Sequence, residues 1–241
     1  MKKYLFAFLF IAVLVSSSCN KPKDGSLVIP KNKVWAHRVN TIDELRAKEN
    51  VFDGMELDIF YSAYQNKLLV CHYEEDTINN LTLDQWFAAI KKPSRHSYWL
   101  DMKNLDMNNC ATVVGMILPE LEKYDLKDNS FIENQNPWIL KSVKELGMHT
   151  SLWVENFFWN DIDTATWVNK VQKQCEIANP DALSCEWRMY GALTTFFPEK
   201  NIFLWHTPAS FTPENVELTR EMCQNKSVKI VLVDYDEPID Y

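Results

Sequence analysis

Apolar residues along the chain gather in nine short runs rich in β-branched and aromatic side chains, separated by longer stretches whose apolar positions recur at helical spacing. The runs cover residues 33–39 (KVWAHRV), 54–62 (GMELDIFYS), 67–73 (KLLVCHY), 97–104 (SYWLDMKN), 130–135, 149–156, 181–187, 201–207 and 228–236. Helical periodicity covers 41–52, 82–92, 110–124, 137–147, 163–178 and 212–224, and more weakly 191–197. Several helix starts carry caps: Thr41 with Glu44 three residues on, Thr82 with Gln85, and Thr212 followed by Pro213. A strand regularly followed by a helix points to parallel β-α units, because parallel neighbours need a crossover that a helix commonly supplies. Taking 54–62 and 67–73 as a local hairpin within one unit leaves eight units, so the pattern predicts one α/β domain over 33–241, a small (β/α)8 TIM-type barrel. A doubly wound open sheet shares this alternation, but no G-x-G-x-x-G or phosphate loop is present to give it its usual nucleotide-binding role.

Charges interrupt the apolar runs at particular places. The reactive face of a parallel barrel lies at the C-terminal ends of its strands, and there the sequence puts His37 and Arg38, Glu56 and Asp58, His72, and Asp101 and Lys103. Glu56 and Asp58 are two apart, so both leave the same face of a strand, as do Asp101 and Lys103. Three carboxylates converging in a partly buried pocket raise one another's pKa unless a cation joins them. One divalent ion with oxygen ligands, Mg²⁺ or Ca²⁺, suits that set. Glu133 at the end of the fourth unit and Trp205 and His206 at the seventh are further candidates for the pocket, as are the aromatics crowded into 153–160 (WVENFFWN).

Composition narrows the rest. A chain of 241 residues that is 46% hydrophobic can bury one sizeable core. Its net charge of -8 argues against a nucleic-acid partner, which needs an excess of Lys and Arg. A monomer is expected. At the start, Lys2 and Lys3 precede an apolar stretch from Tyr4 to Val15 and three serines before Cys19, the pattern of a secretory leader too short to span a bilayer. The serines and cysteine resemble a bacterial lipoprotein signal. The expectation is a signal peptide over 1–18, a lipid anchor on Cys19 with a tether over 19–32, and a place at the bacterial cell envelope, on its periplasmic or surface face; without lipidation of Cys19 the protein would be secreted. The other cysteines, Cys71, Cys110, Cys175, Cys185 and Cys223, show no C-x-x-C spacing, so zinc is not expected. A Cys175–Cys185 disulfide stays open for an oxidising compartment.

The ordered segments AHRVN, GMELDI, LLVCHYE and YWLDMKN resemble the A-H-R-G, G-x-E-x-D, V-x-H-D and E-x-K segments of the glycerophosphodiester phosphodiesterase family, within the phospholipase-C-like phosphodiesterase barrels. IFLWHT is similar to that family's seventh-strand V-W-T-x-N, and VKIVLVDYDEP to its closing G-x-x-x-I-x-T-D-x-P, so the resemblance runs over nearly all of 33–241. VNTIDEL and LTLDQWF are also similar to the menorin-like branch. The resemblance implies a metal-dependent phosphodiester hydrolase acting on glycerophosphodiester-like or phospholipid-derived substrates, the partner being a phosphodiester small molecule or lipid headgroup. It assigns Glu56, Asp58 and Asp101 to the metal, His37 and His72 to acid/base catalysis, and Arg38 and Lys103 to the phosphate. The nucleophile would be water or a neighbouring substrate hydroxyl that closes a cyclic phosphate. Val39 stands where the family has Gly, Tyr73 where it has Asp, and the stretch between His72 and Asp101 is short. A non-catalytic barrel that binds a phosphorylated or glycan ligand at the same mouth is the alternative these departures leave open.

Overall fold

The computed structural model describes residues 25–79, 81–208, 211–237, 239 and 241, so the leader and Cys19 lie outside the described residues. Eight parallel strands close on themselves in the order β1 (Val34–Ala36), β2 (Gly54–Ser62), β4 (Ser97–Met102), β5 (Ser130–Asn134), β6 (His149–Trp153), β7 (Ala182–Glu186), β8 (Asn201–Trp205) and β9 (Val228–Val233). Closure rests on β1, which pairs with β9 through Val34–Ala36 and with β2 through Ala36 and Met55. That closure excludes the open doubly wound sheet. A ninth strand, β3 (Lys67–Val70), folds back antiparallel on the far half of β2, pairing Ile59 with Val70 and Ser62 with Lys67. It is the hairpin excursion expected from the sequence.

Helices α1 (Ile42–Lys48), α2 (Leu83–Ala89), α3 (Cys110–Lys123), α4 (Pro137–Glu145), α5 (Phe157–Asn160), α6 (Thr164–Ala178), α7 (Tyr190–Phe196) and α8 (Pro213–Gln224) connect the strands. The weak periodicity at 191–197 is α7, and α5 is a short helix that the pattern does not announce. Capping boxes open α1 and α2, and Thr212 caps α8 by accepting from Asn215 N at 3.3 Å. Strand alternation sorts the core into two layers. Met55, Leu57 and Ile59 of β2 join Tyr98 and Leu100 of β4 in the layer beneath the helices. Trp35, Trp99, Phe131, Ala182, Phe203 and Ile230 point inward and fill the barrel. Phe131 ties this filling together, with ring centroids 4.8 Å from Phe203 and 5.2 Å from Trp99. The Trp35 indole lies across Gly54, where a Cβ would come within 1.9 Å of the ring.

The strands stop sooner than the apolar runs suggest. After Ala36, His37 N still donates to Val233 O, but Arg38 turns left-handed with φ +50°, ending β1. His37, Arg38, His72 and Lys103 therefore sit just beyond strand ends, whereas Glu56, Asp58 and Asp101 lie within β2 and β4. At the opposite end, residues 25–29 cross the floor of the barrel: Leu27 and Ile29 pack on the inner cluster, Val28 N donates to Asp128 O at 2.7 Å, and Ser97 Oγ donates to Val28 O at 3.0 Å. No helix follows β9 among the described residues. There Tyr235 and Ile239 are buried, and the Tyr241 hydroxyl donates to Lys31 O at 3.1 Å. The five described cysteines are all free, so the Cys175–Cys185 disulfide is not formed. No described helix is long and apolar enough to cross a membrane.

Candidate active site

The pairing of β2 with β4 and of β4 with β5 sets Asp58 beside Asp101 and Asp101 beside Glu133, one row of acids near the C-terminal ends of three adjacent strands. Glu56 lies one inward position below Asp58 on β2. Glu56, Asp58 and Asp101 each bring one oxygen to within 4.8 Å of the others. Glu56 and Asp58 are almost fully buried. Burial, reinforced by the charges of Asp58 and Asp101, pushes the Glu56 carboxyl well above its ordinary range. Lys103 answers part of that charge, its Nζ 2.5 Å from both Asp58 Oδ1 and Asp101 Oδ2. Burial alone would depress the Lys103 ammonium, but the charges of Asp101 and Asp58 outweigh it and hold the group above its ordinary value. Apart from this ion pair, Asp58 Oδ1 has no partner among the described residues. Three hard oxygen donors, two of them buried, match what Mg²⁺ or Ca²⁺ requires.

Around the acids stand His37, Arg38, His72 and Asn40. His37 Nδ1 is 2.7 Å from Asp234 Oδ1, which turns its Nε2 toward Glu56, 3.8 Å from Oε2. Burial would raise the Asp234 carboxyl, yet the hydrogen bond and charge of His37, with Lys48 and Arg38, hold it below the usual carboxylate range. Arg38 uses its left-handed turn twice: its backbone N–H donates to Glu56 Oε2 at 2.6 Å, and Nη2 donates to His72 Nε2 at 2.8 Å. A guanidinium only donates, so His72 accepts there as a neutral imidazole with its proton on Nδ1. Burial, with the charges of Lys103 and Arg38, lowers the His72 pKa. Asn40 holds Asp58 in place, its Nδ2 donating to Asp58 Oδ2 at 2.6 Å while its Oδ1 accepts from Asp58 N at 2.9 Å.

These residues open onto a cavity of about 650 Å³ at the barrel mouth. Its polar half is formed by His37, Arg38, His72, Asp101 and Lys103; its other half carries Trp153 and Trp205, whose rings meet edge-on at 5.9 Å. Glu133 sits on the cavity floor, accepting from Trp99 Nε1 at 3.2 Å and from the Ser184 hydroxyl. Its burial, with the charge of Asp101, raises its pKa to about 8. Of the pocket candidates, Trp205 lines the cavity but His206 does not. One step along the chain reverses the side-chain direction, and His206 is buried behind β8, its Nδ1 2.9 Å from Thr219 Oγ1 of α8. Burial lowers its pKa to about 4. Among the aromatics of 153–160, Trp153 faces the cavity, whereas Phe157 packs edge-on against Trp167 and Phe158 is exposed. Asp234 and Asn40 were not singled out from the sequence. Each sits in a segment of the resemblance, Asn40 closing AHRVN and Asp234 in the final VLVDYDEP, and that was the available signal.

Solved structures match this architecture over most of the chain. A glycerophosphodiester phosphodiesterase from Parabacteroides distasonis superposes with a TM-score of 0.62 at 15% identity, covering 86% of this chain and 94% of that one. The fold is that of the glycerophosphodiester phosphodiesterases. A second such enzyme, from Agrobacterium tumefaciens, gives a TM-score of 0.60 at 12% identity over 86% of this chain and 97% of its own. An Oleispira antarctica phosphodiesterase in complex with its product sn-glycerol-3-phosphate gives 0.62 at 15% identity over 86% and 94%. No family model matches the chain, and neither does any curated protein. The backbone at Val39 calls for no glycine, since the left-handed residue is Arg38 and Val39 is buried with its N–H donating to Glu56 O at 2.9 Å.

Proposed function

We propose that this chain is a metal-dependent phosphodiester hydrolase of the cell envelope, acting on glycerophosphodiester-like or phospholipid-derived diesters. The observation that carries the reading is the meeting of Glu56, Asp58 and Asp101 within 4.8 Å at the mouth of a phosphodiesterase-type barrel, beside two histidines and two cations. Glu56, Asp58 and Asp101 would hold one Mg²⁺ or Ca²⁺. Bound there, the ion supplies Lewis-acid stabilisation of the charge that gathers on the non-bridging oxygens. Arg38 and Lys103 add fixed positive charge for the same oxygens. Asp234 holds His37 with Nε2 toward the site, and His72 stands as a neutral imidazole across from it. Between them they take the proton from the attacking hydroxyl or water and return one to the leaving oxygen. The N-terminal leader motif supports anchorage through Cys19.

The binding-module alternative keeps one observation in its favour: Tyr73 packs edge-on against His72, with ring centroids 4.1 Å apart, where the resembled family has an acid. Turnover decides between them. The full chain is offered a panel of glycerophosphodiesters, phosphoinositides and a chromogenic diester, with Mg²⁺, with Ca²⁺ and with chelator, beside His37→Ala. Metal-dependent release of product that the substitution abolishes supports the enzyme. Ligand retention without turnover in every condition supports the binding module.

A further inference from the structure

Asp58 is held differently at its two oxygens. Oδ2 accepts from Asn40 Nδ2 at 2.6 Å and lies 3.9 Å from Arg38 Nε. Oδ1 has the Lys103 ammonium as its one partner among the described residues, with Nζ 2.5 Å away and also 2.5 Å from Asp101 Oδ2. The ammonium thus spans two of the three acids that converge at the mouth. Mg²⁺ and Ca²⁺ take carboxylate oxygens at about 2.0–2.6 Å. An ion on Asp58 Oδ1 or on Asp101 Oδ2 would then lie within about 5 Å of Nζ where it now stands. Two cations drawn that close to the same oxygens repel, and the repulsion is little screened beside a carboxylate as buried as Asp58.

The surroundings fix which part of Lys103 can yield. Lys103 N donates to Ile59 O at 2.9 Å, and the Asn104 amide clasps the Tyr61 backbone at both of its polar atoms at 2.8 Å, so the main chain here stays with β2. The side chain has room on its other side, because it lines the cavity together with Arg38 and His72. Arg38 is not in the same position, since its Nη2 is engaged by His72 and its Nε is nearest the other oxygen of Asp58.

We infer that Lys103 is a tethered counter-ion, which a divalent cation displaces from Asp58 and Asp101 and which then swings into the cavity to meet the phosphate. The inference rests on the metal-dependent reading given above and adds an order to it, cation first and diester second. Between the two carboxylates the charge of the ammonium is already answered; once released, that charge is available to the non-bridging oxygens. One side chain therefore couples the two ligands, so that each strengthens the binding of the other.

The test titrates Mg²⁺ and Ca²⁺ by calorimetry into the chelator-treated full chain, unmodified and as K103M. Releasing an ion pair of this kind is worth about tenfold to a hundredfold in affinity, and K103M is expected to bind the cation more tightly by that factor. At saturating cation the same variant is expected to bind inorganic phosphate at least about tenfold more weakly. A residue that only supports the fold would not move the two affinities in opposite directions. Proton–nitrogen NMR of the lysine ammonium groups gives a readout on the unmodified protein that does not depend on the folding of K103M. The Lys103 signal, identified by its absence from K103R, is protected from exchange by the two carboxylates and is expected to disappear as the cation saturates. Equal or weaker cation binding by K103M, an unchanged phosphate affinity, or a Lys103 signal that persists at saturating cation overturns the inference and leaves the metal site standing. Absence of cation binding by both proteins defeats the metal-dependent reading itself, and this inference with it.

Discussion

Replacing Asp234 by Asn tests the least expected member of the site. The carboxylate accepts from His37 Nδ1 at 2.7 Å, and the substitution keeps its shape while removing its charge. A hydrogen bond to a charged group is worth about 1.5–3 kcal/mol. With the Asp234 side chain 45% exposed, solvent screening reduces this to about 1–2 kcal/mol. If that energy is expressed in the transition state, where His37 carries or releases the proton, kcat falls about fivefold to thirtyfold. KM should hardly move, since Asp234 orients His37 rather than gripping the diester. Steady-state kinetics on a soluble glycerophosphodiester at saturating divalent cation measures both constants. The carboxyl is held below its unfolded value, so its contribution to stability is present above the ordinary carboxylate range and lost as pH falls through the lowered value. The stability gap between wild type and variant should therefore close on acidification. An unchanged kcat, or an effect confined to KM, would refute the assignment of Asp234 as the residue that orients His37.

Three further outcomes are expected. Gly54→Ala should destabilise the fold by about 3 kcal/mol in urea titration, because its Cβ would meet the buried Trp35 ring at 1.9 Å in a barrel interior with no room to yield. Asp181→Asn should cost about 1 kcal/mol at neutral pH: burial opposes the Asp181 charge, but hydrogen bonds from His149, Thr150 N and Lys144 lower its pKa to about 2, so the gap to wild type, seen in urea titrations across pH, is present above about pH 4 and fades toward pH 2. His206→Gln should lower the melting temperature and leave turnover unaltered, as its partner is Thr219 of α8 rather than any cavity group; a loss of kcat with stability intact would put it back in the site.

Alternation within β2 shows why the barrel and much of its mouth were legible. Met55, Leu57 and Ile59 go to the helices, so Glu56 and Asp58 must go to the barrel interior, and the same parity brings Asp101 to them from β4. Parity also explains His206, for Trp205 and His206 cannot both face inward, and the aromatic ring claims the cavity. Asp234 was hidden because a short acidic tail has the composition of solvated surface, and only the closure of β9 onto β1 brings it to His37. Asn40 was hidden for a related reason: its role depends on the left-handed turn at Arg38, a conformation that carries no glycine to announce it.

The central claim is that Glu56, Asp58 and Asp101 hold the ion that makes this mouth an enzyme. Its most direct test follows turnover of a soluble glycerophosphodiester as Mg²⁺ or Ca²⁺ is added back to chelator-treated protein, for wild type and for Asp58→Asn. The wild-type rate should climb from background to a plateau with added cation while the variant stays at background. A rate that chelation does not touch, or one that the variant shares, would contradict it.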